Sequence, residues 1–125
     1  MTISKRTLEI TEVAASAVIE KIGTDLVAID LSDQLVLSEV FLIATGQNVA
    51  QVDAIADEVE RALIAIGEKP ARREKGAEWI LLDYSDLVVH IQSTELRKYY
   101  MLDRLWNDCP TIDLLAVKDA AINGR

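Results

Sequence analysis

The first part of the chain carries apolar residues at helical spacing. These residues are Leu8, Ala15, Val18, Ile19 and Ile22. Gly23 follows the last of them, where a helix often ends at a glycine. The pattern therefore predicts a first helix over residues 3–22.

Two apolar segments follow, DLVAIDL over residues 25–31 and VFLIATG over residues 40–46, with a short polar stretch between them. The second segment is apolar at both alternating sets of positions, which is typical of a strand covered on both faces. We predict that both segments are buried strands.

A second amphipathic helix is predicted after these strands. Asn48 and Gln51 have the spacing of a capping box, and Gly67 follows the last apolar position. The apolar stripe consists of Val52, Ile55, Ala56, Val59, Leu63 and Ile66. The charged residues outside this stripe are expected to be solvated, without a function; they are Asp53, Asp57, Glu58, Glu60 and Arg61.

The stretch EKPARREKGAE, residues 68–78, is charged and has no periodicity, so a loop is predicted there. Two strands should follow within GAEWILLDYSDLVVHIQ, residues 76–92, and a third helix over residues 94–106. Pro110 marks the end of this helical region. Residues 111–125 are predicted to be a C-terminal tail, in which IDLLAVKDAAI has the composition of a short helix.

This order of elements predicts the fold class. Helix, strand, strand, helix, strand, strand and helix follow one another, which indicates a mixed β-sheet with helices packed on it, an α/β sandwich. The helix between the second and third strands allows a parallel crossover, and the last two strands are close enough for an antiparallel hairpin. One domain, residues 1–110, accounts for all of these elements.

The predicted hairpin has two chemically different faces. If Tyr84 and Ser85 form a two-residue loop, the opposed pairs are Asp83 with Asp86, Leu81 with Val88, and Trp79 with His90. We call the face that carries these six residues the mixed face. The opposite face holds only apolar side chains and is predicted to face the core: Ile80, Leu82, Leu87, Val89 and Ile91.

The polar residues of the mixed face have two interpretations each. His90 either packs against the cross-strand indole of Trp79 as a structural imidazole or serves as a ligand or catalyst. Asp83 and Asp86 either hydrogen-bond the turn backbone or lie at the sheet edge near a cation, because unpaired burial would cost several kcal/mol. Two aspartates and one distant histidine make a weak metal motif, so no metal site is predicted.

The third helix adds a second exposed aromatic candidate. Tyr99, Leu102, Leu105 and Trp106 share one predicted core face, and at about 100° per residue Tyr100 points nearly opposite. Exposed tyrosine and tryptophan near one another are typical of protein interfaces. Trp79 and Tyr100 are therefore candidate interface residues.

Composition and charge narrow the class of partner. The chain has 125 residues and a formal net charge of −8, which disfavours long-range attraction to nucleic acid or anionic lipid and suits a basic protein. No apolar run approaches the roughly 20 residues that span a bilayer, and the N-terminus does not resemble a signal peptide. A cytoplasmic protein is expected, with Cys109, its single cysteine, as a structural thiol.

Several motifs together carry a family resemblance. FLIATG, QVDAIAD, WILLDYSDLVVHI and RKYYMLDRLW resemble the ribosomal silencing factor family, also called the Iojap family, from about Leu26 to Pro110. The resemblance implies a fold similar to the nucleotidyltransferase α/β core without known catalysis. It also implies binding to the large ribosomal subunit through its ribosomal protein fourteen, which blocks subunit joining, and homodimers of the free protein.

The resemblance places Trp79 and Tyr100 at the contact with the ribosomal protein, and His90 and Asp83 are their neighbours on the mixed face. No catalytic residue, cofactor or metal is expected, and no sequence-specific nucleic acid. Ser85 stands where the family usually has glycine, and Arg72 and Arg73 replace its usual Glu-Gly. The role of these two arginines stays open.

The alternative is an active nucleotidyltransferase or nucleotide-binding protein. Gly46 leads into a helix whose N-terminus suits a phosphate group. That chemistry also requires neighbouring carboxylates, typically Asp-x-Asp, to hold two metal ions. No predicted strand carries such a pair, so the hypothesis that the chain is an interaction protein is favoured over an enzyme.

Overall fold

The structure, a computed structural model, describes residues 3–34, 36–99 and 102–114, and only the backbone of residues 102 and 103. Its helices are α1 (Lys5–Glu20), α2 (Val49–Ile64), α3 (Thr94–Tyr99) and α4 (Leu102–Leu105). Its strands are β1 (Thr24–Asp30), β2 (Val40–Gly46), β3 (Arg72–Lys75), β4 (Trp79–Asp83) and β5 (Leu87–Ser93).

The five strands form one mixed sheet in the order β1-β2-β5-β4-β3. The central pair β2–β5 is parallel and the other pairs are antiparallel. The predicted mixed α/β fold is therefore confirmed, with α2 as the crossover between the parallel strands. Helices α1 and α2 pack on one face of the sheet, where the core lies.

The predicted apolar stripes form this core. All five residues assigned to the core face of the hairpin are at most 1% exposed: Ile80, Leu82, Leu87, Val89 and Ile91. The α2 stripe from Val52 to Leu63 is equally buried. Truncating a buried leucine such as Leu82 to alanine would cost about 2–5 kcal/mol of stability.

The end of α1 differs from the predicted glycine cap. Ile22, with φ of 61°, takes the left-handed position, and its N–H bonds the carbonyl of Ile19 at 2.9 Å. The N–H of Gly23 bonds the carbonyl of Val18, also at 2.9 Å, which completes a Schellman motif. Gly23 is needed for space instead, because a Cβ there would lie 2.5 Å from Cγ1 of Val18.

The predicted loop over residues 68–78 is wrong in its centre, because Arg72–Lys75 form the edge strand β3 paired with β4. Alternate side chains of β3 reach opposite faces of the sheet. Arg73 bonds Asp57 at 3.0 Å and Glu60 at 3.4 Å, and Lys75 lies 3.0 Å from Asp53. The acidic face of α2 is therefore not merely solvated, because it pairs with β3.

Replacing Arg73 by glutamine should lower the free energy of unfolding by about 1 kcal/mol at low salt, and by less at high salt. The cause is the loss of two charge-assisted hydrogen bonds that join α2 to the edge strand. Denaturant melts at two salt concentrations measure the change. Arg61→Gln, which removes an exposed pair within α2, is the matched control and should change stability by less than about 0.5 kcal/mol. Equal losses in the two variants would contradict this role of Arg73.

The hairpin register is shifted by two residues from the predicted pairing. Trp79 is opposite Gln92, Leu81 opposite His90, and Asp83 opposite Val88. Tyr84 belongs to the core, 7% exposed, so Ser85 and Asp86 make the turn. Because the shift is an even number, every side chain within β4 and β5 keeps its predicted face, whereas Asp86 lies in the turn. Ser85 has φ of 70°, a left-handed conformation that glycine takes without strain and that serine adopts less readily.

Two further predictions are corrected at the edge of the sheet. β1 is an edge strand that is only partly buried, because Thr24 and Asp25 are exposed. The carbonyl of Pro110 accepts from the N–H of Asp30, Ile112 donates to Ala28, and Leu114 is 4% exposed in the core. Residues 110–114 therefore pack along β1, although 111–125 were predicted to be a tail. Most of the predicted short helix lies outside the described residues.

Candidate interaction surface

The mixed face of the sheet is the face turned away from α1 and α2, and its β1–β2 half is covered. Ile29, Leu31 and Ile43 form a second small core there. Their cover includes Trp106 and Cys109 from the segment after α4. Cys109 is half-buried in this packing, which agrees with its predicted structural role.

The predicted helical stripe of residues 94–106 is wrong in part. Tyr99 and Leu105, expected to face the core, are 85% and 70% exposed. Trp106 packs inward, with its ring centroid 6.2 Å from that of Phe41 in an edge-to-face contact. This segment therefore exposes two large apolar side chains beside the sheet.

The other half of the mixed face is open along β3 and β4, whereas the residues of β5 beneath it are buried. A groove of about 540 Å³ is lined by Leu37, Phe41, Leu81 and Val88, with Asp83 and Arg72 at its rim. A second hollow of about 320 Å³ lies beside Trp79 and Leu81. We call the surface formed by Leu37, Phe41, Trp79, Leu81 and Val88 the open face. Leu37 is 99% exposed at its margin and adjoins the other apolar residues of this surface.

Trp79 and His90 form one unit of the open face. The indole Nε1–H donates to Nδ1 of His90 over 3.3 Å, and the ring centroids are 5.8 Å apart. The ring of Phe41 closes the other side of the imidazole, 4.8 Å away edge to face. His90 is only 5% exposed, so its imidazole supports the indole of Trp79 from beneath. This arrangement matches the structural interpretation of His90.

Burial sets the charge state of His90. Desolvation lowers its pKa from the ordinary 6.5 to about 4, so the imidazole is neutral near pH 7. Because Nδ1 accepts the indole hydrogen bond, the ring proton is assigned to Nε2. Nε2 is buried and has no hydrogen-bond partner among the described residues. A neutral, largely inaccessible imidazole is poorly suited to acid-base catalysis at the surface.

Asp83 makes both of the predicted interactions, a hydrogen bond to the turn backbone and a contact with a cation. One carboxylate oxygen accepts the N–H of Ser85 at 2.8 Å, which is turn chemistry, and the other lies 3.2 Å from Nε of Arg72. Arg72 therefore compensates a half-buried carboxylate at the rim of the groove. Asp86 is fully on the solvent side of the turn.

The structure brings three of the four predicted interface residues onto one face. Trp79 and His90 are in contact, and Asp83 lies further along β4. Tyr100 lies outside the described residues. Sequence reasoning missed Phe41, because a strand that is apolar on both faces gives no sign of which face is open. It also missed Leu37, which precedes β2 and belongs to no periodic pattern.

The N-terminus of α2, the candidate phosphate site, is occupied by its own side chains. Oδ1 of Asn48 accepts the N–H of Gln51 at 2.9 Å, and Oε1 of Gln51 accepts the N–H of Gln47 at 2.6 Å. A Cβ at Gly46 would lie 2.9 Å from the N atom of Val52, so the backbone there is tightly packed. Within the described ranges, no three His, Cys, Asp or Glu side chains group as metal ligands.

None of the described helices is long and apolar enough to cross a membrane.

Comparison with known proteins gives a consistent family. Residues 4–125 match the family model described as ribosomal silencing factor during starvation. A ribosomal silencing factor RsfS of Halalkalibacterium halodurans is 35% identical over 111 residues, covering 87% of this chain and 95% of that protein. The Bacillus subtilis ribosomal silencing factor RsfS is 36% identical over 107 residues, covering 84% and 91%. The chloroplastic protein Iojap of Zea mays is 30% identical over 105 residues, covering 80% and 44%.

Two crystal structures resemble the fold. A Chromobacterium violaceum protein superposes with a TM-score of 0.77 at 32% identity, covering 86% of this chain and 88% of that one. A Bacillus halodurans protein gives 0.74 at 34% identity, covering 89% and 100%. The described fold is therefore shared with solved proteins over most of its length.

Proposed function

The chain belongs to the ribosomal silencing factor family, and from this premise we propose that it binds the large ribosomal subunit through ribosomal protein fourteen. Bound there, it hinders joining of the small subunit and so represses translation. The observation that carries the proposal is the open face, where an oriented tryptophan borders an apolar groove. Large aromatic side chains beside such hollows are typical anchors of protein interfaces.

The chemistry of the surface supports a protein partner. Trp79 presents a half-buried indole whose hydrogen bond to His90 holds it in one orientation. An anchor that is already positioned loses less conformational entropy when a partner docks. Leu37, Leu81 and Phe41 offer neighbouring apolar area. We propose that Tyr100 extends this contact, as the family resemblance implies.

Charge supports a basic partner. The chain has 21 acidic and 13 basic side chains, and ribosomal proteins are usually basic. Asp86 at the hairpin turn is exposed and has no ion pair among the residues described. Its carboxylate is therefore available for a cation of the partner, whereas Asp83 is largely engaged by Arg72. Opposite net charges would speed the encounter more than they would tighten the complex.

We propose that the protein acts by binding and without catalysis. The α2 N-terminus already hydrogen-bonds its own side chains, and a nucleotide would have to displace them. Calorimetry with ATP or CTP and Mg²⁺ should therefore detect no binding in the micromolar range. Micromolar affinity that is lost when Gly46 is replaced would instead support the nucleotide-binding alternative.

Co-sedimentation with purified large subunits tests the proposal. The protein should pellet with large subunits in a saturable manner, and added ribosomal protein fourteen should compete for it. Small subunits serve as the control and should not retain it. Failure to pellet at micromolar protein, or pelleting that the ribosomal protein does not affect, would refute the proposed contact.

Two further features follow from the proposal. A partner on the bacterial ribosome implies a cytoplasmic location.

We propose that the free protein is a homodimer before it docks, as the family resemblance implies. Sedimentation of the isolated protein measures its oligomeric state.

A further inference from the structure

Arg72 lies at the rim of the open face, on the edge strand β3. It is opposite Asp83 in the pairing of β3 with β4, and both residues line the groove of the open face. Its Nε is 3.2 Å from one carboxylate oxygen of Asp83, and its Nη1 is 3.7 Å from a carboxylate oxygen of Glu74. One cation therefore lies between two carboxylates.

These two carboxylates border both hollows of the open face. Asp83 lines the groove, and Glu74 lines the hollow beside Trp79. We call the two carboxylates the acidic rim. Lys75 also lines the second hollow, but its ammonium pairs with a carboxylate on α2. Arg72 therefore cancels half of the negative charge of the acidic rim.

The position of Arg72 is better suited to shape the electric field of the groove than to stabilise the fold. Its side chain is 60% exposed and that of Glu74 is 56% exposed, and solvated ion pairs of this kind contribute little net stability. A charge at the edge of a docking surface instead changes how fast a charged partner arrives. Its influence extends over about one Debye length, roughly 10 Å at 0.1 M salt, which includes the adjoining groove.

We propose that Arg72 screens the acidic rim and thereby limits the attraction of the open face for a basic partner. The inference rests on the proposed function, because it concerns how fast the basic ribosomal protein reaches this face. With Arg72 in place, Asp83 is engaged, and a partner cation that approaches the groove meets a charge of its own sign. Selection of a basic partner then depends on Asp86, whose exposed carboxylate lies in the turn of the same hairpin.

Stopped-flow association with isolated ribosomal protein fourteen tests the screening. At about 50 mM salt, Arg72→Gln should associate about 3-fold faster than the wild-type chain, because the acidic rim is uncovered. At about 500 mM salt the gain should shrink below about 1.5-fold, since the Debye length falls to roughly 4 Å. The double variant Arg72→Gln/Asp83→Asn should lose most of the gain. Its asparagine keeps a side-chain oxygen that can accept the N–H of Ser85.

Arg61→Gln is the matched control for net charge. It changes the charge of the chain by the same amount and also breaks an exposed arginine–glutamate pair, but on α2, which packs on the other face of the sheet. It should speed association by less than about 1.5-fold at low salt. All rates refer to the folded fraction of each variant, which melting curves give.

Three results would overturn the inference alone. Equal gains in Arg72→Gln and Arg61→Gln would show an effect of net charge only. Slower or unchanged association of Arg72→Gln would show that Arg72 contacts the partner or does not affect it. A gain that survives in the double variant would show that Asp83 is not the group that Arg72 screens. Absence of binding by the wild-type chain would instead refute the proposed function, and the inference with it.

Discussion

Replacing Trp79 by alanine is expected to weaken binding to ribosomal protein fourteen by about 2 kcal/mol or more, roughly 30-fold, while the fold is largely kept. Trp79 is half-buried on the open face, and its indole borders a hollow of about 320 Å³. Truncation removes the aromatic contact that this surface offers a partner. Tyr100→Ala is expected to have an effect of similar size, because we propose that Tyr100 belongs to the same contact.

A comparison of melting and binding curves separates an anchor from a core residue. If Trp79 were a core tryptophan, its truncation would cost about 3–5 kcal/mol of stability. Leu82→Ala is the matched control, because Leu82 lies three residues after Trp79 on the same strand but faces the core, where it is 0% exposed. It should lower the melting temperature strongly and leave the affinity of the folded fraction unchanged. Loss of folding in Trp79→Ala without selective loss of binding would contradict the anchor role.

Acid is expected to destabilise the protein through its single histidine. The pKa of His90 is about 4 when folded and about 6.5 when unfolded, so the unfolded chain binds the extra proton between these values. The stability that depends on neutral His90 is complete above pH ~6.5 and is lost as the pH falls towards 4. The full loss amounts to about 3 kcal/mol, since each unit is worth about 1.4 kcal/mol.

Denaturant melts between pH 7 and pH 5 measure this effect before most carboxylates titrate. The wild-type chain should lose about 2 kcal/mol over this range, whereas His90→Gln should lose much less. The glutamine variant will be less stable at pH 7, because it leaves the indole donor with a poorer partner, so the slope is the relevant quantity. Identical slopes for the two proteins would show that His90 is not buried in its neutral form.

The sequence predicted the fold well where burial follows a simple period. The α2 stripe and the alternation of the hairpin each place apolar residues on one side, and the structure keeps both assignments. Even the error in hairpin register changed no face, because Tyr84 moved from the loop into the core and shifted the pairing by two. Periodicity therefore determines which face of the sheet a side chain occupies more strongly than it determines which residues pair across the strands.

The strand β3 could not be predicted in the same way. All four of its residues are charged and exposed, so it has no apolar alternation. What stabilises it is pairing with β4 and the contacts of Arg73 and Lys75 with acids on α2, more than ten residues away in sequence. Complementary charges on the two segments were the only signal, and many solvated surfaces show the same pattern.

The candidate site was predicted in part. Alternation alone put Trp79, His90 and Asp83 on one face, and the structure adds the hydrogen bond that joins the first two. The open groove arises because the segment after α4 covers the β1–β2 half of this face and leaves the half along β3 and β4 open. Which half of a sheet face is covered depends on the path of a distant segment, and Leu37 and Phe41 acquire their role only from that path.

Formation of complete ribosomes from purified subunits tests the central claim most directly. Light scattering after mixing large and small subunits should fall as wild-type protein is added to the large subunits first, with near-complete inhibition at saturation. Trp79→Ala should need roughly 30-fold more protein for the same inhibition, in line with about 2 kcal/mol of lost binding. Joining that proceeds unchanged at saturating wild-type protein would contradict the account.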